Sequence, residues 1–394
     1  MRVLLFCIFI LSVQLLKSQN LVPNGSFETY TLCPNASSEI QSAVPWQTAS
    51  AVSSTDYFNA CSSLLNVPNI PGGYQQAHSG NAFAGLWFLQ TPNYREYLQV
   101  QFTSSLVAGK TYYVEFFVNL QDQMQNAVNN IAANISVTPP NAPVGLIQSL
   151  TPHIINVGNP IINDSINWTK VSGCYLAQGG ENYITIGNFF SDAATTIYPI
   201  NAPPAAAYYF VDDVSVSEIK GQNWQYKDTT ICAGSSVQLF PGISDTLSYN
   251  LTWNPSTGLN CTNCKNPIAN PQTTTTYVLT KQFCNVSFYD TVTVFVKDCS
   301  LSTLPNVFTP NEDGTNDSFR IDLPKGFESK DFCIYNRWGN VIYQPEISDK
   351  NVLFWDGRTS SGEKVTDGTY FYILKYIDAN GAEQERKGTV GLFR

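Results

Sequence analysis

Tyr94-Arg95-Glu96-Tyr97-Leu98-Gln99-Val100-Gln101-Phe102 alternates apolar and polar side chains. Ala108-Gly109-Lys110 then makes a turn, and Thr111-Tyr112-Tyr113-Val114-Glu115-Phe116-Phe117-Val118 alternates again. A period of two on either side of a glycine turn reads as a strand, a turn and a strand, each half-buried. The same rhythm returns at 168–176, 183–189 and 208–216, with Asn, Gly and Pro clusters between. It returns again at 236–240, 249–253, 275–280 and 291–296. Only 121–133 is long enough and free enough of breakers to form a helix or an extended loop. The chain therefore reads as all-β, built from β-sandwiches.

Its 394 residues exceed what one core usually serves, so several domains are expected. Charged residues make up 13% against 43% apolar, the reverse of a disordered chain. Charge divides the chain unevenly. Residues 19–219 hold three basic side chains (Arg95, Lys110, Lys170) against twelve acidic ones, a net −9. Residues 220–300 have five against four, a net +1, and residues 301–394 have eleven against fourteen, a net −3. No stretch is basic enough to attract nucleic acid or anionic lipid, so neither is an expected partner.

Arg2, the apolar run 3–16 and the small-residue exit at Lys17-Ser18-Gln19 read as a secretory signal over residues 1–18, too short to span a membrane. No later stretch has the length of about eighteen apolar residues that a transmembrane helix needs. Nine cysteines follow the signal, and an oxidising compartment favours disulfides with at least one thiol left over. Spacing pairs Cys33 with Cys61, and Cys261 with Cys264. Cys232, Trp253 and then Cys284 or Cys299 follow the immunoglobulin logic of a tryptophan packed beside an inter-sheet disulfide.

The opening Asn20-Leu21-Val22-Pro23-Asn24-Gly25-Ser26-Phe27-Glu28 and the closing Tyr209-Phe210-Val211-Asp212-Asp213-Val214-Ser215-Val216 resemble the two ends of the galactose-binding-like jelly roll found in carbohydrate-binding modules. The resemblance implies a structural calcium between Glu28 and Asp212 or Asp213, hard oxygen ligands that suit the ion. Paired aspartates at a strand end equally serve as solvated edge charges. Trp46, Tyr57, Phe58, Trp87 and Tyr94 lie in or beside loop-like stretches. Exposed, they would stack sugar rings; buried, they would be core. Residues 220–300 resemble the PKD-like or immunoglobulin-like repeats of bacterial surface proteins.

Four spaced motifs occupy residues 301–394. They are Phe308-Thr309-Pro310-Asn311-Glu312-Asp313-Gly314-Thr315-Asn316-Asp317, then Asn336-Arg337-Trp338-Gly339, then Trp355-Asp356-Gly357, then Asp367-Gly368-Thr369-Tyr370. In this order they resemble the gliding-motility-associated C-terminal domain, the type B sorting signal of type IX secretion. Glu312, where that family has Gly, and Cys333 depart from its pattern. The resemblance implies docking to the type IX translocon and its outer-membrane type B partner, with the product at the cell surface or outside the cell. Pro310-Asn311 and Asp313-Gly314 are turn formers, and Asn and Asp there can satisfy nearby amides without an ion. Trp338 and Trp355 are expected to dominate the core of a seven- or eight-strand sandwich.

His78 and His153 are the only histidines and stand in no metal-ligand spacing. No nucleophile elbow or phosphate-cradling loop is present, so an enzyme is not expected. A glycoside hydrolase would need two acidic side chains facing one cleft. The expected organisation is a jelly-roll head (19–219) for adhesion or glycan recognition, an immunoglobulin-like spacer (220–300) and a sorting domain (301–394).

Overall fold

The computed structural model describes residues 19–394 apart from 50–53, 125, 141–149, 200–204, 222, 243–247, 300, 302, 325, 348–350 and 379–380. The secretory signal expected over residues 1–18 lies outside the described residues. The chain forms two compact units. One runs to Gly221 and takes in Cys284–Val286, and the other comprises Gln222–Phe283 and Ser287–Arg394.

The first unit contains β1 (Gln47–Thr48), β2 (Asp56–Asn59), β3 (Ala82–Gln90), β4 (Tyr97–Gln101), β5 (Thr111–Leu120) and β6 (Asn126–Val128). It continues with β7 (Ala132–Ser136), β8 (Ile154–Ile155), β9 (Thr169–Leu176), β10 (Tyr183–Gly187), β11 (Ile197–Pro199) and β12 (Ala206–Glu218). Two five-stranded sheets result, β1-β4-β10-β7-β8 and β2-β3-β12-β5-β9, with β11-β6 as a short pair. Alternation in β5 sends Tyr112, Val114, Phe116 and Val118 into the main core, where β12 adds Tyr209 and Val211 and β10 adds Ile184 and Ile186. A second aromatic cluster of Phe58, Phe83, Tyr208 and Phe210 is covered by Leu65, Val67 and Ile70. The helix considered for 121–133 does not form, because this stretch supplies β6 and the start of β7. Residues 126–128 are fully buried, and a ladder to β11 satisfies their backbone.

The second unit holds two separate hydrophobic clusters. Around the first lie β13 (Thr229–Cys232), β14 (Val237–Gln238), β15 (Asn250–Asn254), β16 (Ile268–Ala269), β17 (Thr275–Phe283) and β18 (Val286–Lys297). They form a four-stranded sheet β13-β18-β17-β15 and the pair β14-β16. Trp253 of β15 is buried in this cluster, donates its indole N–H to the Cys264 carbonyl at 2.9 Å, and meets Tyr226 edge-on at 5.1 Å.

Around the second cluster lie β19 (Val307–Phe308), β20 (Phe319–Asp322), β21 (Glu328–Tyr335), β22 (Val341–Tyr343), β23 (Val352–Trp355), β24 (Gly368–Ile377) and β25 (Glu383–Leu392). The sheets are β19-β25-β24-β21-β22 and β20-β23, seven strands among the described residues, within the seven or eight expected. Trp355 is buried between Phe308 (5.3 Å) and Tyr370 (5.0 Å), and its indole N–H reaches the Arg358 carbonyl at 2.7 Å. Gly357 lets the chain turn beside it at φ 79, where a Cβ would fall 2.6 Å from Leu392.

Disulfides join Cys33 to Cys61, Cys261 to Cys264 and Cys232 to Cys299. Cys284 is thus not the partner of Cys232. It is bonded within the first unit to Cys174, which spacing had left unassigned. Cys333 is the free thiol among the described residues, buried in β21.

Trp355→Ala is expected to destabilise the C-terminal β-sandwich by about 3–5 kcal/mol, the usual cost of truncating a fully buried tryptophan. Urea unfolding of the full chain, followed by indole fluorescence, measures it.

Candidate functional site

The Asn336–Asn340 turn between β21 and β22 is built by one side chain. Asn336 Oδ1 accepts the backbone N–H of Trp338 (2.9 Å) and of Asn340 (3.0 Å), while the Gly339 N–H returns to the Asn336 carbonyl at 3.0 Å. Gly339 closes the turn at φ 81. This turn throws the Trp338 side chain outward, where it is 80% exposed. The expectation that Trp338 shares the core with Trp355 is therefore corrected: the Asx-type turn fixes the backbone, and the indole has no sheet to cover.

Arg337 stands on the same turn and lines two grooves. One, of about 680 Å³, is bounded by Trp338, Val341, Ser360, Asp367 and Gly368. The other, of about 500 Å³, is bounded by Phe371, Lys387 and Thr389. Val341 and Phe371 are also solvent-exposed, so apolar surface continues away from Trp338. Asp367 Oδ1 and Oδ2 receive the Arg394 guanidinium (3.1 Å) and backbone N–H (3.0 Å), and the same guanidinium donates to the Gly357 carbonyl. This clamp holds the Asp367-Gly368 and Asp356-Gly357 turns together.

The four motifs thus separate by task. Phe308, Trp355 and Tyr370 build the core. Asn336, Arg337, Trp338, Gly368 and Asp367 present a ridge and groove. Residues 309–317 knit a loop, in which Asp317 accepts the N–H groups of Asn311 (3.0 Å), Glu312 (2.7 Å) and Gly314 (2.8 Å). Within it Asn311 Oδ1 accepts from Asp313 N–H and Asp313 Oδ1 from Thr315 N–H. Glu312 and Asn316 sit at positive φ, as does Gly314, and Pro310 leads into the turn.

Of the candidate aromatic platform, Trp46, Tyr57 and Phe58 are buried and Trp87 and Tyr94 half-buried. Trp46 is 1% exposed, stacked on Phe27 at 4.8 Å, with its indole N–H on the Asn24 carbonyl. Tyr57 is fully buried, its hydroxyl on the Phe27 carbonyl, and Phe58 belongs to the second aromatic cluster. Trp87 and Tyr94 are half-buried, Trp87 edge-on to Tyr208 at 5.0 Å and Tyr94 donating to Glu96 at 2.9 Å. Tyr57 and Phe58 lie in β2 and Trp87 in β3, where the rings of Tyr57 and Phe58 are part of the core and that of Trp87 packs at its edge.

Of the acidic residues tied to calcium, Glu28 is exposed and accepts the Asn81 N–H at 2.7 Å. Asp212 is fully buried beside the bulge of β12. Its Oδ2 accepts from the His78 and Ser79 amides (2.8 and 3.2 Å), and its Oδ1 from the Asp213 amide (2.7 Å). Asp213, at φ 48, faces His78 Nδ1 at 2.6 Å and accepts from the Ser79 hydroxyl at 2.7 Å. Protein donors thus engage each of these three carboxylates. Among the described residues no group of three or more His, Cys, Asp or Glu side chains is placed to hold a metal ion.

Sequence reasoning missed a buried polar cluster. Glu96 is fully buried and accepts from the Ser54 hydroxyl and amide, the Trp87 amide (3.0 Å) and the Tyr94 hydroxyl. Asp56 accepts the Tyr208 hydroxyl (2.6 Å) and the Ser38 amide (2.7 Å). Arg95, 2% exposed, lies 2.9 Å from Asp192. The available signal was the charged pair Arg95-Glu96 inside an alternating strand.

Residues 302–392 match the family described as CHU_C Type IX secretion signal domain. The chain carries that signal, which directs export by type IX secretion. No curated protein matches the chain. Among solved structures it is similar to the CBM22-1 xylan-binding domain from Paenibacillus barcinonensis, at 12% identity, 52% of this chain, 97% of that chain and TM-score 0.29. It is similar to the K1 cleaved adhesin domain of Lys-gingipain from Porphyromonas gingivalis W83, at 18% identity, 50% of this chain, 96% of that one and TM-score 0.26. It is also similar to the adhesin domain of Epf from Streptococcus pyogenes, at 8% identity, 96% and 98% coverage and TM-score 0.22.

Burial pushes the Asp56 carboxyl from 3.8 up to about 6, and nearby Glu96 adds to the rise against hydrogen bonds from Tyr208 and Ser38. A proton held more tightly in the folded state stabilises fully below about pH 4, and that stabilisation is lost as pH rises through about 6. The expected outcome is a melting temperature that falls across this window, with a shallower slope in Asp56→Asn. Equal slopes in the two proteins would assign the pH dependence to other groups.

Proposed function

We propose that this chain is a non-enzymatic surface protein. In this reading residues 301–394 are its export address, residues 220–300 a spacer, and residues 19–219 a head for adhesion or glycan recognition. The address is a folded surface centred on the Asn336–Gly339 turn, read by the type IX translocon and its outer-membrane type B partner. The protein crosses the periplasm and ends at the cell surface or outside. The exposure of Trp338 carries this reading. An indole held out by a side-chain-fixed turn, beside an arginine and a groove, is the kind of anchor that binding energy concentrates on. A tryptophan needed only for folding would be buried, as Trp355 is.

A recognition role for the head, with glycan as its leading ligand class, keeps the half-buried Trp87 and Tyr94 as its aromatic candidates. The burial of Trp46 and Tyr57 favours a second reading, a structural surface or motility-adhesin component with no small ligand. Applying the intact mature protein to a glycan array separates the two, and silence supports the structural component.

Trp338→Ala and Arg337→Ala are expected to unfold like the wild type, within about 0.5 kcal/mol, as exposed substitutions do. Each should lower the exported fraction several-fold, with product retained in the periplasm as for a deletion of residues 301–394. Fractionation of cells expressing each variant measures this, and wild-type export by the double variant removes the ridge from the address.

A further inference from the structure

In the second unit, Lys281 of β17 and Asp290 of β18 meet on adjacent strands of one sheet. Lys281 is 0% exposed and Asp290 is 6% exposed, and Nζ lies 2.6 Å from Asp290 Oδ2. Aromatic rings enclose the pair. Nζ is 4.6 Å from the Trp224 ring centre and 5.6 Å from that of Tyr249. Tyr249 in turn packs edge-on against Trp224, Phe283 and Phe288. The two oxygens of Asp290 differ. Oδ1 accepts the Trp224 backbone N–H at 2.9 Å, whereas Oδ2, despite its closeness to Nζ, takes part in no hydrogen bond of regular geometry.

A buried ion pair recovers little more than the desolvation of its two charges. A buried amide carries no net charge and has only its hydrogen bonds to satisfy. A fixed amine and carboxyl in a water-poor enclosure also have the high effective concentration that drives intramolecular acyl transfer. We propose that Lys281 and Asp290 become joined by an intramolecular amide bond, a covalent cross-link between β17 and β18.

The reaction balances within the pair. The ammonium passes a proton to Oδ2 across the short contact, and the freed Nζ lone pair attacks Cγ. Negative charge then develops on Oδ1, which the Trp224 N–H is placed to stabilise. The new Cγ–Nζ bond forms, the Cγ–Oδ2 bond breaks, and Oδ2 leaves as water with two of the three ammonium protons. Nothing is oxidised or reduced. Oδ1 remains as the amide oxygen, still bonded to the Trp224 N–H, and the rings keep water from reversing the step.

The test is the intact mass of the full mature chain, denatured and reduced, followed by tryptic mapping. The expected result is a mass short by one water and an uncleaved peptide over 266–297, because trypsin does not cut after an acylated lysine. Asp290→Asn should reach the same final mass by releasing ammonia, and Lys281→Arg should retain its full mass. A wild-type chain of full mass, cleaved normally after Lys281, overturns the proposal. So does a missing water accompanied by normal cleavage, which would mark a cyclised Asp290 and no cross-link.

Discussion

A sheet with one apolar face must cover it, and in this chain the covering is done by aromatic rings. Phe27 on Trp46, Phe88 on Tyr209, Trp253 beneath Tyr226 and Trp355 between Phe308 and Tyr370 each close a core at close ring spacing. A large ring removes much apolar area from water per residue fixed, worth about 25 cal/mol for each Å². Short strands, several of them two or three residues long, can therefore stand at sheet edges without a long ladder to hold them.

Because the rings are committed to cores, the loops are held by small polar side chains. Asn24, Asn336, Asp164 and Asp317 each satisfy two or more backbone groups of their own turn. In the 336–340 turn the Trp338 side chain points outward, so a tryptophan that burial would otherwise claim is left in solvent.

The period-two runs around Val100, Phe116 and Tyr209 made the strands legible, because alternation reports directly which side chains face a core. The four C-terminal motifs made the export signal legible as well. What could not be read was the fate of any single ring. Trp338 and Trp355 each stand next to a glycine turn in sequence, yet one is exposed and the other buried, since only tertiary pairing decides whether a sheet lies opposite. Trp46 and Tyr57, set among Ser, Thr and Ala residues, could be read either way, and their rings turn out buried. Residues 121–133 lack breakers, but their pairing partner, β11, lies about seventy residues later, and no local pattern reveals it.

Charged groups buried in so apolar a chain separate into two kinds. Glu96 is surrounded by hydroxyl and amide donors, and Asp212 by three amides, so the carboxyl oxygens of both are hydrogen-bonded within the protein. Lys281 and Asp290 instead have mainly each other and a set of rings, with one amide on Oδ1. Hydrogen bonds to fixed donors occupy the oxygens of a carboxylate, whereas the 2.6 Å approach of Lys281 Nζ to Asp290 Oδ2 beside aromatic rings brings an amine and a carboxyl together as two reacting groups. The first arrangement gives every carboxyl oxygen a fixed hydrogen-bond donor and leaves the group inert, even where burial and the neighbouring Asp213 push the Asp212 carboxyl up to about 8. The second lowers the cost of losing both charges together, and that difference separates a polar core group from a reactive one.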